Sequence, residues 1–145
     1  MKKGVKSSDF SETCPYTSSI LDSLSPYLFT TPFSYAFFST LGPQSKISSH
    51  ASTMNLRLRV HLPLIVPSSC KDSENCGIRC GASTRRWEEG KCLVLDDSYY
   101  HDVWNNTDES RVVLLVDLWH PDVQQGEREC INDMFSYSQE MGWMT

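Results

Sequence analysis

From Leu56 to Leu64 every second residue is apolar. Leu56, Leu58, Val60, Leu62 and Leu64 share one parity; Arg57, Arg59 and His61 share the other. A period of two describes a strand with two unlike faces, whereas a helix turning every 3.6 residues would scatter those leucines around its axis. The apolar face must be covered by other elements. In an ordinary sheet the face bearing two arginines and a histidine is solvated. Downstream, Arg111 opens Val112-Val113-Leu114-Leu115-Val116, a run that reads as buried. An arginine there calls for an anionic partner. Asp117 is one candidate within the chain; a carboxylate ligand held in bidentate fashion is the other.

The 145 residues suit one domain with a single core. Residues 1–13 are expected to form a poorly ordered lead, residues 14–122 the folded domain, and residues 123–145 a helical tail. Pro15 fits the first turn of a short helix, with Tyr16, Ile20, Leu21 and Leu24 as its apolar stripe. Strands are expected over 33–41, 56–66, 77–80, 84–87, 91–95, 101–104 and 111–119. Pro63 implies a bulge or an edge position, and residues 42–53 read as a polar loop around His50. Many short strands between turns, with helices only at the ends, predict an all-β sandwich or barrel.

The net charge of −5 and the absence of a basic run interleaved with aromatics argue against a nucleic-acid partner. No apolar run is long enough for a membrane span. Met1-Lys2-Lys3-Gly4 is not followed by an apolar stretch, so no secretory signal is read and a cytoplasmic location is expected. The spacing Cys70-x5-Cys76-x3-Cys80 lacks the tight pairs of structural zinc sites, and the six cysteines are expected as buried or loop thiols.

His50 and His101 each fall beside a strand. Imidazole is a common ligand for iron, zinc and copper. A facial triad would add a carboxylate two residues after the first histidine, where this chain has Ser52. Asp102 follows His101 directly and should face away from it on a strand. Spacing alone therefore leaves a metal site open.

Several blocks in order resemble the aspartyl/asparaginyl β-hydroxylase domain of the Fe(II)/2-oxoglutarate dioxygenases. They are Asn55-x-Arg57-x-Arg59-x-His61-Leu62, Trp87-x-Glu89-Gly90-Lys91, Asp96-Asp97-Ser98-x-x-His101-x-x-Trp104-Asn105, and Arg111 with Asp117-x-Trp119-His120-Pro121. The resemblance runs from Cys14-Pro15 to Asp122. It implies a double-stranded β-helix, a jelly-roll or cupin-like fold with short flanking helices. It implies Fe(II) held by His50 and His101 with no carboxylate, and 2-oxoglutarate and O2 as cosubstrates. Ser39, Arg59, His61 and Arg111 match the 2-oxoglutarate contacts, and Arg57 matches a contact to an acidic substrate. The implied reaction is hydroxylation of the β-carbon of Asp or Asn in a peptide, or of a related small acid. Hydroxylation of lipid acyl chains is one alternative. Others are a non-catalytic or truncated family member that binds metal or a partner, and a cupin-like metal-binding or sugar-binding module. The chain departs from the family in the loop Pro43-Gln44-Ser45 to Ser49-His50-Ala51-Ser52, where Pro-Gly-Thr and Pro-His-Thr-Gly are usual.

Overall fold

A computed structural model describes residues 1–144. Two short helices, α1 (Phe10–Thr13) and α2 (Pro15–Ser23), precede eight strands, and a longer helix, α3 (Gln125–Glu140), closes the chain. The strands are β1 (Ala36–Leu41), β2 (Ser45–His50), β3 (Arg57–Ile65), β4 (Cys76–Cys80), β5 (Ser83–Arg85), β6 (Leu93–Leu95), β7 (His101–Asn105) and β8 (Arg111–Trp119). They form two antiparallel sheets of four, ordered β1-β8-β3-β6 and β2-β7-β4-β5. Apart from the β4–β5 hairpin, successive strands alternate between the sheets in the manner of a jelly roll, in line with the all-β reading.

Parity along β3 and β8 places the site. Val113 and Leu115 belong to the core between the sheets, with Ile78, Trp87, Leu95 and Val103. Arg111, Asp117 and Trp119 share their parity and so face inward. Pairing of Arg57 with Trp119, Arg59 with Asp117 and His61 with Leu115 puts all three cationic or titratable β3 residues on that same inner face. The opposite faces carry Leu62, Leu114, Val116 and Leu118, which pack with Leu21, Phe10 and Met1 into a second cluster. The alternation beginning at Leu56 is thus a strand covered on both sides, with its charged face enclosed.

Several expectations change. Residues 42–53 are not simply a loop: β2 occupies Ser45–His50 and pairs with β7. Its side chains are nearly all exposed, so no apolar alternation announced it. In α2 only Ser18 and Leu21 are buried, while Tyr16 and Ile20 face solvent. The first 13 residues, expected as a poorly ordered lead, make defined contacts. Lys2 bridges Tyr35, the Met1 amino group donates to the Ala36 carbonyl at 2.6 Å, and Phe10 packs against the outer cluster. Pro63 marks a bulge, the register of β3 on β8 slipping between Pro63 and Ile65. Within the expected helical tail, α3 covers Gln125–Glu140, and none of its residues is buried. No helix among the described residues is long and apolar enough to cross a membrane.

Candidate active site

His50 ends β2 and His101 begins β7, directly opposite each other in the pairing of these strands. Their ring centroids lie 4.2 Å apart at an interplanar angle of 56°. In each ring Nδ1 faces a carbonyl two residues back, Ser48 at 2.8 Å and Tyr99 at 2.9 Å. A carbonyl can only accept, so each Nδ1 carries the proton. Both Nε2 atoms are left with free lone pairs, the tautomer a metal requires. Burial, with the neighbouring His50, holds His101 below the usual histidine range and so favours the neutral ring, against the opposing bond to Tyr99. Asp102 turns to the outer face and pairs with Arg79 at 2.9 Å. No group of three or more His, Cys, Asp or Glu side chains able to hold a metal occurs among the described residues.

Deeper between the sheets, Arg111 is 1% exposed and pairs with no carboxylate among the described residues. Its Nη1 donates to the Ser39 carbonyl at 3.2 Å, its guanidinium lies 4.6 Å from the Trp87 ring, and its Nε has no partner. Desolvation pushes its pKa down to about 10. Ser39 pairs with Val113 and therefore faces the same interior. The expectation that Asp117 might pair with Arg111 fails, because Asp117 is bound elsewhere and lies at the opposite end of β8.

His61 completes this pocket. The Trp87 indole donates to its Nδ1 at 3.3 Å. Indole N–H can only donate, so His61 is neutral with its proton on Nε2, available to a ligand oxygen. Burial, with the charges of Arg111 and Arg59, lowers its pKa to about 3.

Arg57 and Arg59 have a different surrounding. Arg59 makes a two-pronged pair with Asp117, at 2.8 and 3.1 Å, and reaches Asp97 at 3.1 Å. Burial opposes its charge, but the bond and charge of Asp117 prevail and raise its pKa. Arg57 binds Asp97 at 2.8 Å and Asp117 at 3.2 Å, donates to the Phe33 carbonyl, and lies over the Phe29 ring. Both aspartates are almost fully buried. Two cations and two anions thus neutralise each other in the interior, as buried ions must. Arg57, expected as a substrate contact, is enclosed by these partners and keeps 8% of its side-chain surface exposed. Arg59 retains 16% of its side-chain surface and, with Tyr35, Phe37, Met1 and Lys2, lines a cavity of about 440 Å³. Asp97 and Trp87 are residues whose roles sequence reasoning missed. A usable signal existed for the first: arginines on an enclosed face require carboxylates, and Asp96-Asp97 precedes His101 in the motif.

The fold is an antiparallel jelly roll of the cupin-like class, with paired histidines and an unneutralised arginine inside. The model of the aspartyl/asparaginyl beta-hydroxylase family matches residues 1–121. The chain belongs to that family. It is 39% identical over 94 residues to the aspartyl/asparaginyl beta-hydroxylase of Mus musculus, covering 65% of this chain and 12% of the relative. It is 32% identical over 139 residues to aspartate beta-hydroxylase domain-containing protein 2 of Xenopus tropicalis, covering 94% of this chain and 36% of that protein. The chain therefore spans little more than a third, or less, of the length of these relatives. Among solved structures, a Cupin 2 conserved barrel domain protein from Salinispora arenicola superposes with a TM-score of 0.43 at 14% identity, over 69% of this chain and 67% of that one.

Proposed function

We propose that this hydroxylase-family domain is an Fe(II)- and 2-oxoglutarate-dependent dioxygenase acting on the β-carbon of an Asp or Asn residue, or of a related small acid. The observation that carries the reading is Arg111, a fully enclosed guanidinium with an unused Nε and no carboxylate beside it among the described residues. Leaving a cation so is costly, and a ligand carboxylate removes the cost. His61 Nε2–H and the Ser39 hydroxyl are donors suited to the same group.

The donor set fits Fe(II). His50 and His101 would hold it through their Nε2 atoms, and two nitrogen ligands leave positions for a bidentate keto acid and dioxygen. When bound, iron with 2-oxoglutarate supplies the oxidising power that places a hydroxyl on an unactivated carbon. The chain's residues supply the rest. The carbonyls of Ser48 and Tyr99 fix the histidine tautomers, and Trp87 fixes His61 in the form that donates to an anion. Trp87 and the surrounding core exclude water from Arg111, strengthening its hold on a carboxylate. The cavity beside Arg59 is the approach we assign to an acidic substrate, peptide or small molecule; the guanidinium there is held in place by Asp117 and Asp97.

Succinate release from 2-oxoglutarate with Fe(II), measured against Asp- and Asn-containing peptides and free amino acids, tests the reading. Turnover coupled to one of these substrates is the expected outcome. Metal uptake without 2-oxoglutarate binding would instead establish a non-catalytic metal-binding module.

A further inference from the structure

β5 and β6 are the free edges of their sheets, and between them the interior opens to solvent. Register decides which side chains face that opening. Ser83 and Arg85 pair with Cys80 and Ile78, and Ile78 is a core residue, so the four lie on the inner face of β4 and β5. Leu93 and Leu95 pair with His61 and Arg59 and lie on the inner face of β6. These residues line a cleft of about 480 Å³, with Arg86, Glu88 and Lys91 at its rim.

The cleft is chemically two-sided. Its inner wall is Ile78, Leu93 and Leu95, and the Cys80 thiol there is committed to the Asp96 carbonyl at 3.3 Å. Its rim holds three cations and one anion. Arg86 and Lys91 share Glu88, at 3.4 and 2.7 Å, while the Arg85 guanidinium donates to the Thr84 carbonyl at 2.9 Å and has no acidic partner among the described residues. This cationic rim belongs to a chain of net charge −5, so the local sign is opposite to the global one. An anion is therefore favoured at the rim, and an apolar body below it. A second carboxylate would be buried against Ile78, Leu93 and Leu95 without a cation, which disfavours dicarboxylates here. The volume exceeds what a two-carbon acid fills.

We propose that the cleft between β5 and β6 binds a small amphiphilic monocarboxylate, its hydrocarbon body on Ile78, Leu93 and Leu95 and its carboxylate on Arg85 and Arg86. Its walls adjoin the proposed active site, Cys80 lying opposite His101 and Leu93 opposite His61, but it draws on neither His50, His101 nor Arg111 for binding, so it is testable without metal or turnover.

The test is a titration of metal-free, isotopically labelled protein followed by backbone amide shifts. The probes are octanoate, acetate and octyltrimethylammonium. Octanoate is expected to shift the amides of residues 78–86 and 91–95 saturably. Acetate lacks the body and octyltrimethylammonium carries the wrong charge, so each should bind at least about tenfold more weakly, the loss of roughly one charge-assisted bond or a few buried methylenes. Arg85→Glu combined with Arg86→Glu should weaken octanoate by at least about tenfold on the same scale. If that double variant does not fold, Arg85→Gln alone should weaken octanoate by about threefold or more. No saturable shift up to about 10 mM octanoate, an affinity weaker than about 3 kcal/mol, overturns the proposal. So does equal binding of the cationic detergent, or unchanged binding by the folded arginine variants.

Discussion

Replacing Arg111 by methionine separates a guanidinium kept for ligand binding from one kept for the fold. Burial holds the Arg111 pKa at about 10, against roughly 12.5 for a free arginine. At about 1.36 kcal/mol per pH unit, the charged form is disfavoured in the folded state by ~3 kcal/mol. The residue is 1% exposed, so solvent screening does not reduce this much. Two contacts of the charge offset it: the Trp87 ring, worth ~1 kcal/mol, and the bond to the Ser39 carbonyl, worth ~1 kcal/mol. Methionine fills a similar slender volume and lacks the charge. The variant should therefore be about as stable as the parent or ~1 kcal/mol more stable, a rise in Tm of about 4 °C. Its response to 2-oxoglutarate should vanish. For the parent, loaded with Mn(II), 2-oxoglutarate at a hundred times Kd should add ~2.7 kcal/mol. Thermal unfolding with and without 2-oxoglutarate reads both quantities. A variant destabilised by more than ~2 kcal/mol, beside a parent that ignores 2-oxoglutarate, would make Arg111 a structural residue and refute the reasoning.

Other substitutions probe the remaining parts. Arg111→Lys keeps the charge but loses the planar fork, and should weaken 2-oxoglutarate by ~1–3 kcal/mol in a calorimetric titration while metal binding survives. Asp97→Asn leaves Arg57 and Arg59 under-compensated and should destabilise the domain by ~3–5 kcal/mol in urea unfolding; a change below ~1 kcal/mol would mean the buried network is not intact in solution. Asp102→Asn breaks only an outward pair with Arg79 and should change stability by less than ~1 kcal/mol. His50→Ala and His101→Ala should each abolish tight Mn(II) uptake, read by paramagnetic relaxation, with the fold retained. His61 gives a pH prediction. Its folded pKa of about 3 lies below the unfolded value, so the unfolded chain binds the proton and stability is lost as pH falls below roughly 6.5. Between pH 6.5 and 5 the loss is ~2 kcal/mol, and His61→Asn should remove that part of the slope.

The readable parts of the fold were those in which burial alternates. β3 and β8 declare themselves because one face packs on α2 and the other encloses charge. β2 was hidden, because both its faces are wet and its only structural commitment is the ladder to β7. The helical stripe of α2 was misread for a related reason. Leu21 alone meets the outer cluster, and nothing in Tyr16 or Ile20 records that the sheet stops short of them. At the site, resemblance named the histidines, the apolar run after Arg111 marked that arginine as buried, and parity by itself put Arg57, Arg59 and His61 on one common face without saying whether that face is enclosed. Parity cannot say which arginine meets which carboxylate. That depends on the registers of β8 with its two neighbours: β3 pairs Arg59 with Asp117, and β1 leaves Arg111 opposite Leu41.

The register has a consequence for the interior as a whole. The ionised side chains enclosed between the sheets are Arg57, Arg59 and Arg111 against Asp97 and Asp117, an excess of one positive charge, with His61 neutral. That excess sits at Arg111, the end of β8 remote from both aspartates. Under the proposed function, a divalent metal at His50 and His101 would raise the excess to three, and a 2-oxoglutarate dianion would return it to one. A single further carboxylate, on the substrate, would then bring the interior to neutrality. An amide-bearing or neutral substrate would leave one charge uncompensated in a low-dielectric space. The charge pattern thus favours aspartate over asparagine, and a free acid over a lipid chain. Comparing kcat/KM for otherwise identical Asp and Asn peptides puts this to the test: the aspartate should lead by about tenfold or more, the effect of one partly buried charge pair. Equal rates would mean that solvent or its ions, and not the substrate, complete the balance.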